Sequence, residues 1–230
     1  MANANPALRA GPVEGRRFLA RAVHDLAREA GIRQEVDIGT GIPTAGNTHE
    51  VAQAVEPSAR VVHVDNDPMV LVHARALLSG GPAGRTCYID ADLREPDAIL
   101  AGPEVAATLD LSQPVGLLLI GILHFIRDSE DPYGIVQKLL GALPVGSHLV
   151  IGHVTADLDP VGIGAARDAY HQCGLPFEPH SRQEVARFFD GLELVEPGIV
   201  MPSDWRNDVP AADRPSAVDV SGYAAVGRKD

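Results

Sequence analysis

Glu35-Val36-Asp37-Ile38-Gly39-Thr40-Gly41 is a short strand-like run that closes on a glycine turn, and two later runs answer it: Val61-Val62-His63-Val64-Asp65 and Tyr88-Ile89-Asp90-Ala91-Asp92-Leu93. Each is apolar, brief and bounded by an acid, the pattern of a buried strand whose C-terminal end carries a carboxylate. A ligand lying across the C-terminal ends of parallel strands needs one loop that its atoms can approach closely and acceptors at the neighbouring strand ends. The three tips together point to a nucleoside-type cofactor.

Outward from these runs the chain alternates helix and strand. Leu19, Val23, Leu26 and Ala30 fall at helical spacing between Glu14 and Ala30, and Gly31 stops that helix before a strand over Gln34 to Ile38. Residues 1–13 are expected to be a flexible arm and 14–230 one domain. Asn47-Thr48-His49-Glu50 reads as a capped helix start, Arg60 to Asp65 as the second strand, and Asp67-Pro68 as a cap followed by proline at the first helical position. Gly80-Gly81-Pro82 is expected to end that helix. Thr86 to Ile89 is the third strand, Pro96 to Leu100 a short helix, and Val115 to Ile120 an uninterrupted apolar run suited to the middle of a parallel sheet. Asp131-Pro132 opens a helix through Leu140, Leu149 to Val154 is a fifth strand, and Ser181-Arg182-Gln183-Glu184 is a capping box. Leu192 to Val200 and Val220 to Gly227 lack a long helix between them and predict an antiparallel pair at the end of the sheet. The connection Met201 to Ser216 is long, with prolines at 202, 210 and 215.

Composition narrows the function. A chain of 230 residues that is 45% hydrophobic and 22% charged supports one good-sized core. No apolar run approaches the roughly 20 residues of a membrane span, and no signal segment opens the chain, so a cytoplasmic protein without a membrane partner is expected. The formal net charge of −12, with no basic run, disfavours a nucleic-acid partner. Cys87 and Cys173 have no redox or ligand spacing, and the nine histidines show no metal-binding spacing, so no metal is expected. A homodimer is left open.

The order of elements resembles the Rossmann-like class I methyltransferases that use S-adenosyl-L-methionine, an α/β fold with a mostly parallel seven-stranded sheet, an antiparallel last strand and helices on both faces. More narrowly, Asp37-Ile38-Gly39-Thr40-Gly41-Ile42-Pro43-Thr44, Val64-Asp65-Asn66-Asp67-Pro68, Asp90-Ala91-Asp92-Leu93-Arg94, Leu123-His124-Phe125-Ile126 and the ending Gly222-Tyr223 to Gly227-Arg228-Lys229 are similar to a bacterial family of such enzymes known largely from sequence. Members of that family begin with several dozen further residues, an aromatic and glycine-rich segment among them. In related enzymes such N-terminal helices cover the cofactor and the acceptor, so a cofactor-binding module without turnover stands as a second reading.

Each tip has a physical role in that likeness. Gly39 and Gly41 give a backbone the ligand can approach, with Thr40 between them and the following helix start offering amide donors to a carboxylate. Asp37 is placed to accept from the ligand's amino group. Asp65, 24 positions after Gly41, ends the second strand with an acceptor for two ribose hydroxyls, beside Asn66. Asp92 and the Leu93 amide are placed for the adenine. Methyl transfer is an in-line displacement that chiefly needs alignment and exclusion of water. A general base would help a hydroxyl or cationic amine acceptor, and His124, in a stretch similar to the Leu-His-x-x-x-Asp region of small-molecule O-methyltransferases, is the catalytic candidate, with cofactor lining and core packing as its alternatives. His153 and Thr155, at the end of the fifth strand, are acceptor-site candidates, with core packing the alternative for His153. Trp205 and Arg206 either close over the substrate or anchor their loop. A dinucleotide oxidoreductase is the rival enzyme class. Its pyrophosphate usually takes a third glycine, where this chain has Thr44. The acceptor is expected to be a small molecule, methylated on oxygen or nitrogen.

Overall fold

The computed structural model describes residues 7–43, 45–77 and 84–230; the side chains of 7–9 and 74–77, and the expected Gly80-Gly81-Pro82 stop, lie outside the described residues. In chain order the elements are α1 (Ala7–Arg28), β1 (Gln34–Ile38), α2 (Thr48–Val55), β2 (Arg60–Asp65), α3 (Pro68–Leu77), β3 (Arg85–Asp90), α4 (Pro96–Leu100), α5 (Pro103–Thr108), β4 (Gly116–Ile120), α6 (Pro132–Gly141), β5 (His148–Val154), α7 (Pro160–Gln172), α8 (Arg182–Arg187), β6 (Leu192–Leu194), α9 (Ala217–Val220) and β7 (Gly222–Lys229). The strands form one sheet in the order β3-β2-β1-β4-β5-β7-β6. The first five pair in parallel, and β7 runs antiparallel to both β5 and β6. The order reverses between β1 and β4, so the loops leaving those two strands diverge and open a crevice at their C-terminal ends.

Alternation along the strands sends side chains to two separate cores. Val36, Ile38, Leu117, Leu119, Leu149 and Ile151 face α4, α5, α6 and α8, where Ile99, Val105, Leu139 and Phe188 meet them. Val61, Leu118, Val150 and Val226 face the other way, onto Phe18, Leu26 and Ala52 of α1 and α2. The local devices behave as their residue types dictate. Asp67 Oδ1 accepts from the Met69 amide, Asp131 Oδ1 from the Gly134 amide, and Ser181 caps α8 together with Glu184.

Four details differ from the sequence reading. Helix α1 reaches back to Ala7, so residues 7–13 of the expected arm are helical. The interior Pro12 and Gly11 hide that start from a propensity argument, whereas packing against α9 and the sheet supports it: a Cβ on Gly11 would stand 3.0 Å from the Val220 carbonyl oxygen. Helices α5 and α7 were not anticipated. Helix α7 begins at Asp159-Pro160 with the same cap-and-proline device as α6, and the Asp159 Oδ1 accepts from the Gly162 amide. Finally β6 is three residues long rather than nine. Val195 still donates to Val226 and Val200 bridges Ala224, but Pro197, which lacks an amide hydrogen, and Gly198 at φ 77° break the ladder between them.

The connection 201–216 is anchored. Trp205 is fully buried with its ring edge-on to Phe18 at 5.4 Å, and Arg21 of α1 donates to the carbonyl oxygens of Trp205 at 2.8 Å and Pro202 at 2.5 Å. Arg206 pairs with Asp25 and donates to the Glu196 carbonyl. Of the two readings of Trp205 and Arg206, anchoring is the one the packing realises.

Candidate functional site

The turn after β1 is set by two left-handed glycines, Gly39 at φ 76° and Gly41 at φ 67°. A Cβ on Gly39 would lie 2.7 Å from two side-chain atoms of Ile122, so the loops after β1 and β4 touch there and tolerate no side chain. At Gly41 the corresponding space is open. Gly121, at φ 73°, leaves the end of β4 equally bare. The Gly39 amide donates to the Val64 carbonyl at 2.8 Å, tying the turn to β2.

Beneath this turn lies a buried network. Asp37 Oδ2 accepts from Thr48 Oγ1 at 2.7 Å and Thr40 Oγ1 at 2.9 Å and lies 3.2 Å from His63 Nδ1, while His63 Nε2 lies 3.0 Å from His49 Nδ1. Burial pushes the Asp37 carboxyl up, but His63 and the two hydroxyls outweigh it and hold the group below the usual carboxylate range. Tyr88 stacks on His63 with ring centroids 4.3 Å apart. Thr40 is thus clamped from below by Asp37. His63, His49 and Thr48 were not picked out from sequence; Asp37 stands directly beside His63 on the neighbouring parallel strand, which only the β1–β2 register reveals.

At the next two strand ends Asp65 Oδ2 accepts from the Gly41 amide at 2.9 Å and Oδ1 from the Asp67 amide at 3.0 Å. Asn66 Nδ2 donates to Asp92 Oδ2 at 3.1 Å, linking the tips of β2 and β3. Asp92 Oδ1 takes the Arg94 amide and guanidinium, and Arg94 reaches on to Glu130 and the Phe125 carbonyl. Leu93 is buried in the core behind them. The three acidic tips therefore lie on one side of the sheet and are joined through Gly41 and Asn66.

A cavity of about 610 Å³ opens beside the Gly39 turn. Its walls include Gly39, Thr40, Asp37, Gly121, His124 and His153, and it is roofed by Gly15, Arg16 and Leu19 of α1 and by Phe125, Tyr170 and Phe177. Asp65, Asn66, Asp92 and Leu93 are not in its lining, so two adjoining regions exist: the linked acidic tips and the deeper apolar cavity. Thr155 also lies off the lining. It is buried, and its Oγ1 accepts from the Asp157 amide at 3.1 Å, which makes it a turn support rather than a cavity group. Arg16 was overlooked in the sequence because α1 carries no motif there. Its guanidinium reaches Asn47 Oδ1 at 3.3 Å and the Ile42 carbonyl at 3.2 Å, fastening α1 to the glycine turn.

His124 lines this cavity and leaves its Nδ1 buried without a partner. Burial, assisted by His180, pushes its pKa down to about 3. A ring this hard to protonate is a weak proton acceptor near neutral pH. It also links stability to pH. The unfolded chain binds a proton at this residue near the ordinary value of 6.5, whereas the folded chain resists until about 3, so stability is full above pH 6.5 and declines below it by about 1.4 kcal/mol per unit. Urea unfolding between pH 7 and pH 4 is expected to show at least that slope, since burial holds His153 down as well, and His124→Phe to reduce it by about 1.4 kcal/mol per unit. An unchanged slope in the variant would place the acid sensitivity elsewhere.

An α/β sheet with this strand order, glycine turn and row of acidic tips is the architecture of a nucleoside-cofactor enzyme, with a cavity beside the turn. The chain belongs to the S-adenosyl methyltransferase family, whose model matches residues 1–230. No curated protein matches it. Among solved structures it is similar to a DUF574 family protein from Streptomyces avermitilis, with 46% identity, a TM-score of 0.96, and coverage of 100% of this chain and 88% of that one. A structure from Thermobifida fusca shares 40% identity at a TM-score of 0.89, covering 100% of this chain and 85% of that one. The N-methyltransferase NodS from Bradyrhizobium japonicum, in complex with S-adenosyl-L-homocysteine, shares the fold at 14% identity and a TM-score of 0.56, covering 99% of this chain and 90% of that one. The protein is an S-adenosyl-L-methionine-dependent methyltransferase, and the nicotinamide alternative falls away. The residues present suit that cofactor: a bare backbone at Gly41, with nothing within 4 Å of where a Cβ would stand, and a carboxylate at the end of the adjacent strand already turned to the Gly41 amide.

Proposed function

We propose that this methyltransferase acts on a small molecule held in the cavity between the Gly39 turn, α1 and α7. The observation that carries the reading is the placement of that cavity, directly beside the glycine turn and walled in part by α1 and the aromatic side chains. S-adenosyl-L-methionine, when bound, supplies a methyl group on a positively charged sulfur. Gly39, Thr40 and Gly41 give it a backbone seat, and Arg16 together with the amides at the start of α2 meets its carboxylate. Asp65 accepts from the ribose hydroxyls; Asp92, with Asn66 and the Leu93 amide, borders the adenine. The Asp37, Thr48 and His63 network keeps Thr40 and the turn rigid, which is positioning rather than chemistry. His124 touches the acceptor, and with its Nδ1 walled off, Nε2 is the nitrogen left to hydrogen-bond it. The apolar walls exclude water from the reacting centre.

Asp65→Ala is the direct test of the cofactor side. Titration calorimetry with S-adenosyl-L-methionine should show affinity weakened by about 1 to 3 kcal/mol, the cost of leaving bound hydroxyls without a charged acceptor, while unfolding by urea stays nearly unchanged. Full affinity in the variant would remove Asp65 from the site. On the acceptor side, a small-metabolite extract incubated with wild-type protein and cofactor should yield S-adenosyl-L-homocysteine only when the extract is present. Tight binding without product would favour a module that holds the cofactor and does not turn it over.

A further inference from the structure

The hydrogen bonds of His153 and His180 fix how many protons the two rings share. His153 Nδ1 lies 2.8 Å from the Val154 carbonyl oxygen, His153 Nε2 lies 3.1 Å from His180 Nδ1, and His180 Nε2 lies 3.1 Å from Asp128 Oδ1. A carbonyl oxygen and a carboxylate only accept, so both outer nitrogens carry hydrogen, and the contact between the rings needs one more. Two neutral imidazoles own two such protons. Three bonds use three, and the pair therefore holds one extra, opposite Asp128. Of the two rings it is His180 that faces the Asp128 carboxylate, and the extra proton is placed there.

The surroundings of His180 are consistent with a cation. Asp128 stands at one end; the Tyr133 ring is 6.0 Å away and the Phe188 ring 5.8 Å away. Glu184, in the first turn of α8, has its carboxylate held by Ser181. His180 itself is buried, and His153 separates it from the cavity. The cavity thus has a positive charge one ring behind its wall. Among the lining residues the only acid is Asp37, and its Oδ2 already has three partners. No carboxylate in that lining is free to pair with a cationic amine. Phe125, Tyr170 and Phe177 supply flat apolar surface, with Tyr170 and Phe177 stacked at 4.7 Å.

We propose that the acceptor is an aromatic hydroxyl compound bound as its oxyanion, its ring against Phe125, Tyr170 and Phe177 and its oxygen toward His124, with His180 as the positioning residue whose charge favours the anion. This rests on the methyltransferase reading. On binding, the O–H bond breaks, the oxygen keeps the electron pair and the proton leaves to solvent. No side chain then has to take that proton during transfer, which removes the need for a base that the neutral His124 is ill suited to be.

The test uses the whole chain without cofactor and 4-nitrophenol as probe, because its phenolate is coloured and its phenol is not. Wild-type protein should bind the phenolate about tenfold more tightly than the phenol, seen as a downward shift of about one unit in the probe's ionisation. His180→Phe should abolish that shift while still binding the uncharged 4-nitroanisole. Bound probe that stays in its phenol form, or benzylamine displacing it as the tighter ligand, would overturn the proposal. Should His180→Phe not fold, nitrogen NMR of the unaltered protein decides: three protonated ring nitrogens across His153 and His180 at neutral pH support it, and two overturn it. Calorimetry with S-adenosyl-L-methionine on the same preparation separates the two claims. Loss of cofactor binding with the probe shift intact would sink the methyltransferase reading and leave the anion site standing.

Discussion

Gly39→Ala is expected to destabilise the fold by about 2 to 5 kcal/mol and to abolish measurable S-adenosyl-L-methionine binding. Two independent costs add. The residue sits at φ 76°, where an L side chain pays about 1 to 2 kcal/mol. The new Cβ would also stand 2.7 Å from Ile122, and relieving that overlap costs about 1 to 3 kcal/mol more. Ile122 belongs to the loop after β4, so the relief would come from spreading the two loops that form the crevice. Urea unfolding and calorimetry measure both effects. The double variant with Ile122→Gly, which removes the Cβ that the new methyl would strike along with the rest of the side chain, should recover the overlap portion and not the backbone portion, giving a coupling of about 1 to 3 kcal/mol between the sites. A Gly39→Ala protein that is as stable as wild type and binds cofactor normally would mean that the two loops do not meet as described. Gly41→Ala is the internal control, since its Cβ meets nothing within 4 Å and only the backbone cost at φ 67° remains.

Trp205→Ala should lower stability by about 3 to 5 kcal/mol, the range for emptying a fully buried large aromatic. The ring fills the space between α1 and the sheet beside Phe18, and its main chain is held by Arg21. Its Nε1 is buried without a partner, which costs the native state something that a phenylalanine would not. Trp205→Phe is therefore expected to lose far less than the alanine variant. Equilibrium unfolding of both proteins gives the comparison, and an alanine variant within about 1 kcal/mol of wild type would show that Trp205 lies outside the core. Because Pro202 of the same segment lines the cavity, the alanine variant should also bind 4-nitroanisole more weakly than the phenylalanine variant does.

Much of the frame could be read locally. Strands β1 and β2 have the bounds that the sequence predicts, although Gln34 and Glu35 are polar and buried, because the Val-x-Ile run and the glycine turn outweigh them. The caps at Asp67, Asp131 and Ser181 were equally visible, since a cap is a contact between residues two or three apart. Helix α7 escaped notice because its few apolar positions bury only Ile163 and Ala166, too weak a stripe to stand out. Arg16, His63 and His180 escaped for a different reason. Each acquires its partners across large separations, such as His180 with Asp128 and His153, and no spacing rule reports those.

Glycines that must turn left-handed, acids that must end strands and apolar runs too short for helices are constraints written within a few residues of one another, so order along the chain was enough to point to the sheet and the class of enzyme. Which imidazoles are held neutral, which carboxylate is already satisfied and what lines the cavity beside the glycine turn depend on groups that only folding brings within hydrogen-bond reach and out of water. Burial and pairing set the protonation of His124, His153 and Asp37, and both are properties of the packed molecule, absent from the chain as written.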